Sequence, residues 1–111
     1  SINIQIIFVF KRIGGAIMNN KHIKQEISKL LITVKQAFGK DSREYKNLEY
    51  LLDILESTYL YNFDGGRDLL DELNELLIKL SHTVPELAPE NFGYTYPNIS
   101  KMLKYLDEWL S

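Results

Sequence analysis

The sequence contains no cysteine in 111 residues, which excludes a disulfide framework, a thiolate zinc site and a cysteine nucleophile together. Histidine is almost as scarce. His22 and His82 are the only two, and neither stands in a metal-binding spacing such as His-Glu-x-x-His. No Glu-x-x-His pair is present, which a di-iron bundle requires on two helices. Gly65-Gly66 lacks the following Gly-Lys-Ser/Thr of a phosphate-binding loop. No apolar run approaches the length of a membrane span. Thirteen basic against fifteen acidic side chains give a net charge of −2, the wrong sign for a general nucleic-acid binder. The expectation is a protein with no catalytic residues, no metal ligands and no cofactor, hence not an enzyme, and with no nucleic acid as partner.

What is present is enough to fold. Apolar residues make up 45% and charged residues 25%, so a chain of this length builds one core and is not a disordered tail. Residues 1–17 stand apart from the rest. Ile2, Ile4, Ile6, Phe8 and Phe10 alternate as in a strand, whereas everything after Met18 has a helical period. Lys11 and Arg12 follow the apolar run, while a secretion signal places its basic residues before it. Gly14-Gly15 can be encoded by a bacterial ribosome-binding site, at about the spacing an initiation codon at Met18 needs. The expected organisation is therefore an N-terminal extension, 1–17, that is translated upstream sequence, and one domain, 18–111. An authentic edge strand or a swapped arm that mediates a dimer is the alternative.

Four amphipathic segments follow. Ile23, Ile27, Leu30, Leu31, Val34 and Phe38 form the apolar stripe of the first, which Gly39 ends. Asp41 with Glu44 reads as a capping box opening the second, whose stripe is Tyr45, Leu48, Leu51, Leu52, Leu55 and Tyr59. Asn62 to Gly66 breaks it. The third segment spans about Arg67 to His82, with acidic residues in its first turns where the helix dipole favours them. His82 reads as a cation at that helix's C-terminus. Thr83 to Tyr96 reads as one long loop with two prolines and three aromatics. The fourth segment opens at Pro97, with Ile99, Met102, Leu103, Leu106, Trp109 and Leu110 on one face. The fold class expected is all-α: an antiparallel four-helix bundle with a non-helical or strand-like N-terminal extension. Phe38, Tyr59 and Trp109 are expected in the core.

Charge and aromatics point to surfaces. Residues 18–46 carry +4 and residues 47–90 carry −8, while residues 91–111 balance. Lys21, Lys24, Lys29 and Lys35 occupy the polar face of the first segment. They either attract neighbouring acidic helices or face anionic lipid headgroups or an acidic partner. Phe92, Tyr94 and Tyr96 in the long loop are the aromatic candidates for partner binding, or else they pin the loop down.

A lysine-rich first helix, Glu44-Tyr45 opening the second, a leucine-rich third and a loop leading to a short last helix together resemble the bacteriocin immunity proteins of Gram-positive bacteria. The enterocin A immunity group is the nearest of these. The resemblance spans residues 18–111 in length and helix order. It rests on REYKNLEYLLDILEST (Arg43 to Thr58) and LLDELNELLIKLSH (Leu69 to His82). The abundance of Ile, Lys, Asn and Tyr also fits a low-GC Gram-positive genome. The resemblance implies a cytoplasmic, membrane-proximal bundle that protects its producer from a pore-forming class II bacteriocin. Its partner would be the complex of bacteriocin and mannose-permease receptor at the inner membrane face, with peripheral membrane contact. It also implies that specificity lies in the C-terminal half, here the loop Thr83 to Tyr96 and the fourth segment. Family members often carry a further tail, whereas this sequence stops at Ser111, so no tail contacts are carried over. The residues themselves leave open a second class, a small adaptor or regulatory bundle that binds a soluble protein through its loop and acidic helices. A small helical enzyme or metal protein is the third.

Overall fold

The computed structural model describes residues 20–57 and 66–110. These form five helices, α1 (Asn20–Phe38), α2 (Arg43–Ser57), α3 (Gly66–Ser81), α4 (Pro89–Thr95) and α5 (Pro97–Leu110), with a short 3-10 turn at Pro85–Leu87 between α3 and α4. There is no strand among the described residues, and the fold is all-helical. The strand-like extension 1–17, its dimer contact and a start at Met18 lie outside the described residues. So do Tyr59, the break over Asn62 to Gly65 and the side chain of Trp109.

Every apolar stripe turns inward. Ile23, Ile27, Leu30 and Val34 of α1 meet Leu48, Leu51, Leu52 and Leu55 of α2, Leu70, Leu73, Leu77 and Leu80 of α3, and Ile99, Met102, Leu103 and Leu106 of α5 in one core. Phe38 and Tyr45 are partly buried at its edge. The chief packing partners of α1 are α2 and α5, and those same two helices are the chief partners of α3. The lysine-bearing and the acid-bearing helix thus pack chiefly on a shared pair. Arg67 in the first turn of α3 pairs with Asp107 near the end of α5 at 2.6 Å, and with Asp71 on its own helix at 2.7 Å. Farther along, Leu77 and Ile78 line one cleft with Ser100 and Leu103, so α3 and α5 run in opposite directions.

The α1–α2 link shows how local chemistry sets a turn. Gly39 adopts φ +94°, and its N–H bonds to the Lys35 carbonyl at 2.8 Å, ending α1 in the left-handed conformation that glycine tolerates. The capping residue of α2 is Ser42, not Asp41: its Oγ accepts the Tyr45 N–H at 3.1 Å and donates to the Gly39 carbonyl at 2.6 Å. Helix α2 begins at Arg43, which leaves Asp41 one residue too early to reach the third amide. Ser42→Ala is expected to cost about 1 kcal/mol. Gly39→Ala is expected to cost roughly 1–2 kcal/mol from backbone strain alone, because nothing lies within 4 Å of an added Cβ. Urea unfolding of the two variants measures both.

The stretch from Thr83 to Tyr96 is not one long loop. Its prolines open helices instead of breaking them: Pro85 starts the 3-10 turn and Pro89 starts α4, where the missing N–H would have had no partner. Val84, Leu87, Phe92 and Tyr96 enter the core, and the Asn91 amide donates to the Pro85 carbonyl at 2.9 Å. The helical path breaks at Val84, at Ala88 (φ −60°, ψ 144°) between the 3-10 turn and α4, and again at Tyr96, whose backbone (φ −130°, ψ 65°) yields to Pro97. The Ser100 N–H then bonds back to the Tyr96 carbonyl at 2.9 Å, so α5 starts where α4 stops.

Candidate functional site

The seam between α1 and the start of α5 holds the most concentrated polar chemistry in the described residues. Glu26, half-buried on α1, accepts the backbone N–H groups of Asn98 and Ile99 at 2.9 Å each, and the Asn98 side-chain amide as well. Helix α5 has no acidic residue in its own first turn. Its unpaired amides and positive dipole end are satisfied by a carboxylate from another helix. The sequence reading assigned Glu26 no role. The available signal was that it is the one acid on α1, while Pro97-Asn98 opens a helix with no acid in its first turn.

Tyr96 closes the same seam. Its ring is 1% exposed, packs 5.1 Å from the Phe92 ring centroid, and lies 5.4 Å below the Lys29 ammonium. Its hydroxyl donates to Thr33 at 3.3 Å. Burial raises the phenol above its ordinary range, and the charges of Glu86 and Glu26 add to this, while the bond to Thr33 opposes it. Tyr45 is raised for related reasons, burial and then its bond to Glu49.

The aromatic candidates therefore divide. Phe92 and Tyr96 belong to the core, and Tyr94 is 90% exposed. Phe92 also forms part of the wall of an apolar cleft of about 250 Å³, with Leu77, Ile78, Leu87, Pro89 and Leu103 around it. Ile78 at its rim is half-exposed. Lys21, Lys24, Lys29 and Lys35 are all exposed along α1, and so are Asp68, Asp71, Glu72 and Glu75 along α3. One of these lysines meets one of these aromatics where Lys29 covers Tyr96.

His22 is exposed beside a polar groove formed with Gln25, Glu26, Lys29 and Asn98, and His82 is exposed in the turn after α3. Among the described residues no group of three or more His, Asp or Glu side chains is placed to hold a metal ion. Every buried side-chain nitrogen and oxygen there has a hydrogen-bond partner. No helix among them is long and apolar enough to cross a membrane. The constellation offers surfaces: a cationic helix face, an acidic one, an apolar cleft and, apart from it, an exposed tyrosine. No protein-family model, no curated protein and no solved structure matches the chain.

Proposed function

We propose that this chain is a bacteriocin immunity protein: a non-enzymatic, cytoplasmic binder that protects its producer from a pore-forming class II peptide at the mannose-permease receptor. In this reading α1, α2, α3 and α5 form an antiparallel four-helix bundle, and the Pro85–Thr95 segment covers one end. The observations that carry the proposal are the apolar cleft of Phe92, Leu87 and Leu103 and, on the other face of the short helix that bears Phe92, the exposed Tyr94. Both fall in the C-terminal half, where the family resemblance puts recognition. Tyrosines and apolar pockets are among the features that dominate protein–protein binding.

Expression of the chain in a bacteriocin-sensitive Gram-positive strain, challenged with a panel of class II peptides, tests this directly. Resistance to one peptide with killing by the others is the expected result. Tyr94→Ala should abolish most of that protection while changing stability by no more than about 0.5 kcal/mol, as for other exposed positions. Uniform killing with confirmed expression overturns the immunity reading. The same cleft and the exposed acids of α3 favour the second reading, an adaptor for a soluble protein, and pull-downs would then identify that partner.

A further inference from the structure

We infer that the outer face of α1 is a docking surface for anionic lipid headgroups. At about 100° per residue, Lys21, Lys24, Ser28, Ile32 and Lys35 fall within roughly 80° of one another, on a stripe about 21 Å long. All five are exposed, and Ile32, at 55%, is among the most exposed large apolar side chains described. The single acid of α1, Glu26, is turned away from this stripe and bound to the first amides of α5. The face thus presents positive charge, with an apolar tooth between Lys24 and Lys35 and no carboxylate of its own helix.

The rest of the molecule decides the occupant. The exposed acids of α3 belong to the helix that shares its packing partners with α1 from the other side. The least extent of the molecule is 24 Å, well beyond the screening length of about 8–10 Å in physiological salt. A flat anionic surface touching α1 senses the lysines and little of the opposing acids. A nucleic acid, which follows a protein's contour, would meet both. The cations are all lysines, which suit a diffuse layer of headgroups, whereas protein interfaces favour arginine and are depleted in lysine. The inner stripe of α1 is committed to the core, so attachment is electrostatic, peripheral and reversible.

This inference deepens the immunity reading and rests on it for its purpose in the cell, but it is measured separately. The purified full chain is sedimented with vesicles of phosphatidylcholine alone or with about one-third phosphatidylglycerol. Binding is expected only to the anionic vesicles, and release is expected in about 0.5 M salt. The variant Lys21→Gln/Lys24→Gln/Lys35→Gln should bind about 100-fold more weakly, at roughly fivefold per lysine. The matching triple arginine variant should bind as the parent does, and Asp68→Asn/Glu72→Gln on α3 should leave binding within about twofold. Circular dichroism confirms that all four proteins are folded. Failure to bind anionic vesicles, equal binding to both vesicle types, or undiminished binding of the glutamine variant overturns the inference and leaves the face to an acidic protein. Vesicle binding without protection overturns the immunity reading alone, and protection without vesicle binding overturns this inference alone.

Discussion

Tyr96→Ala is expected to destabilise the protein by about 4 kcal/mol, in the range found for buried aromatic truncations. That is a large fraction of the roughly 5–15 kcal/mol available to a domain of this size. The ring is 1% exposed and stands between Phe92 of α4, Lys29 and Thr33 of α1, and the first turn of α5. Its loss opens a cavity where three elements meet, and neighbours held by Pro97 on one side cannot collapse into it. Tyr96→Phe keeps the packing and loses one long hydrogen bond, so it should cost no more than about 1 kcal/mol. The contrast separates packing from polarity, and urea titration reads both.

The phenylalanine variant also carries a pH test. In the unfolded chain the Tyr96 phenol ionises near 10, and in the folded protein burial raises that value. The folded state holds the proton longer. The stability this group contributes is therefore full below pH 10 and is lost as the pH rises through the folded value. Unfolding measured from pH 8 to 11.5 should show the parent losing more stability than Tyr96→Phe at the alkaline end. Parallel curves would mean that the phenol ionises alike in both states.

Glu26→Ala is the second large effect, expected at about 2 kcal/mol. A capping acceptor is worth up to roughly 2 kcal/mol, and hydrogen bonds to a charged group are about twice as strong as neutral ones. The loss leaves the amides of Asn98 and Ile99 without their acceptor at a half-buried helix start. A fall in melting temperature of about 8 °C corresponds to this cost. Glu26→Gln retains an acceptor oxygen but not the charge, so it should recover about half of the loss. If alanine and glutamine melted together, the charge and not the hydrogen bonds would be responsible. If neither moved the melting temperature, α5 would not depend on Glu26 at all.

The sequence by itself determined the helical stripes and their ends. Buried positions recur every three or four residues from Ile23 to Val34, Leu48 to Leu55, Leu70 to Leu80 and Ile99 to Leu106, and that period is a property of the chain alone. Gly39 and Pro97 mark their boundaries for equally local reasons, a positive φ and a missing N–H. The lysines of α1 and the acids of α3 were legible as exposed faces because charge excludes itself from a core.

Only the tertiary structure decided the rest. A segment with two prolines and a glycine has too little intrinsic propensity to declare itself a helix, so α4 exists because Phe92 and Tyr96 find a core to enter. That burial removed two of the three loop aromatics from the surface and left Tyr94 outside. The partner of Glu26 lies 72 residues away in sequence, a distance across which no periodicity speaks. Whether opposite charges face each other or face apart is likewise a matter of which helices share a neighbour. Local pattern fixes which side of a helix is wet, and only packing fixes what that side confronts.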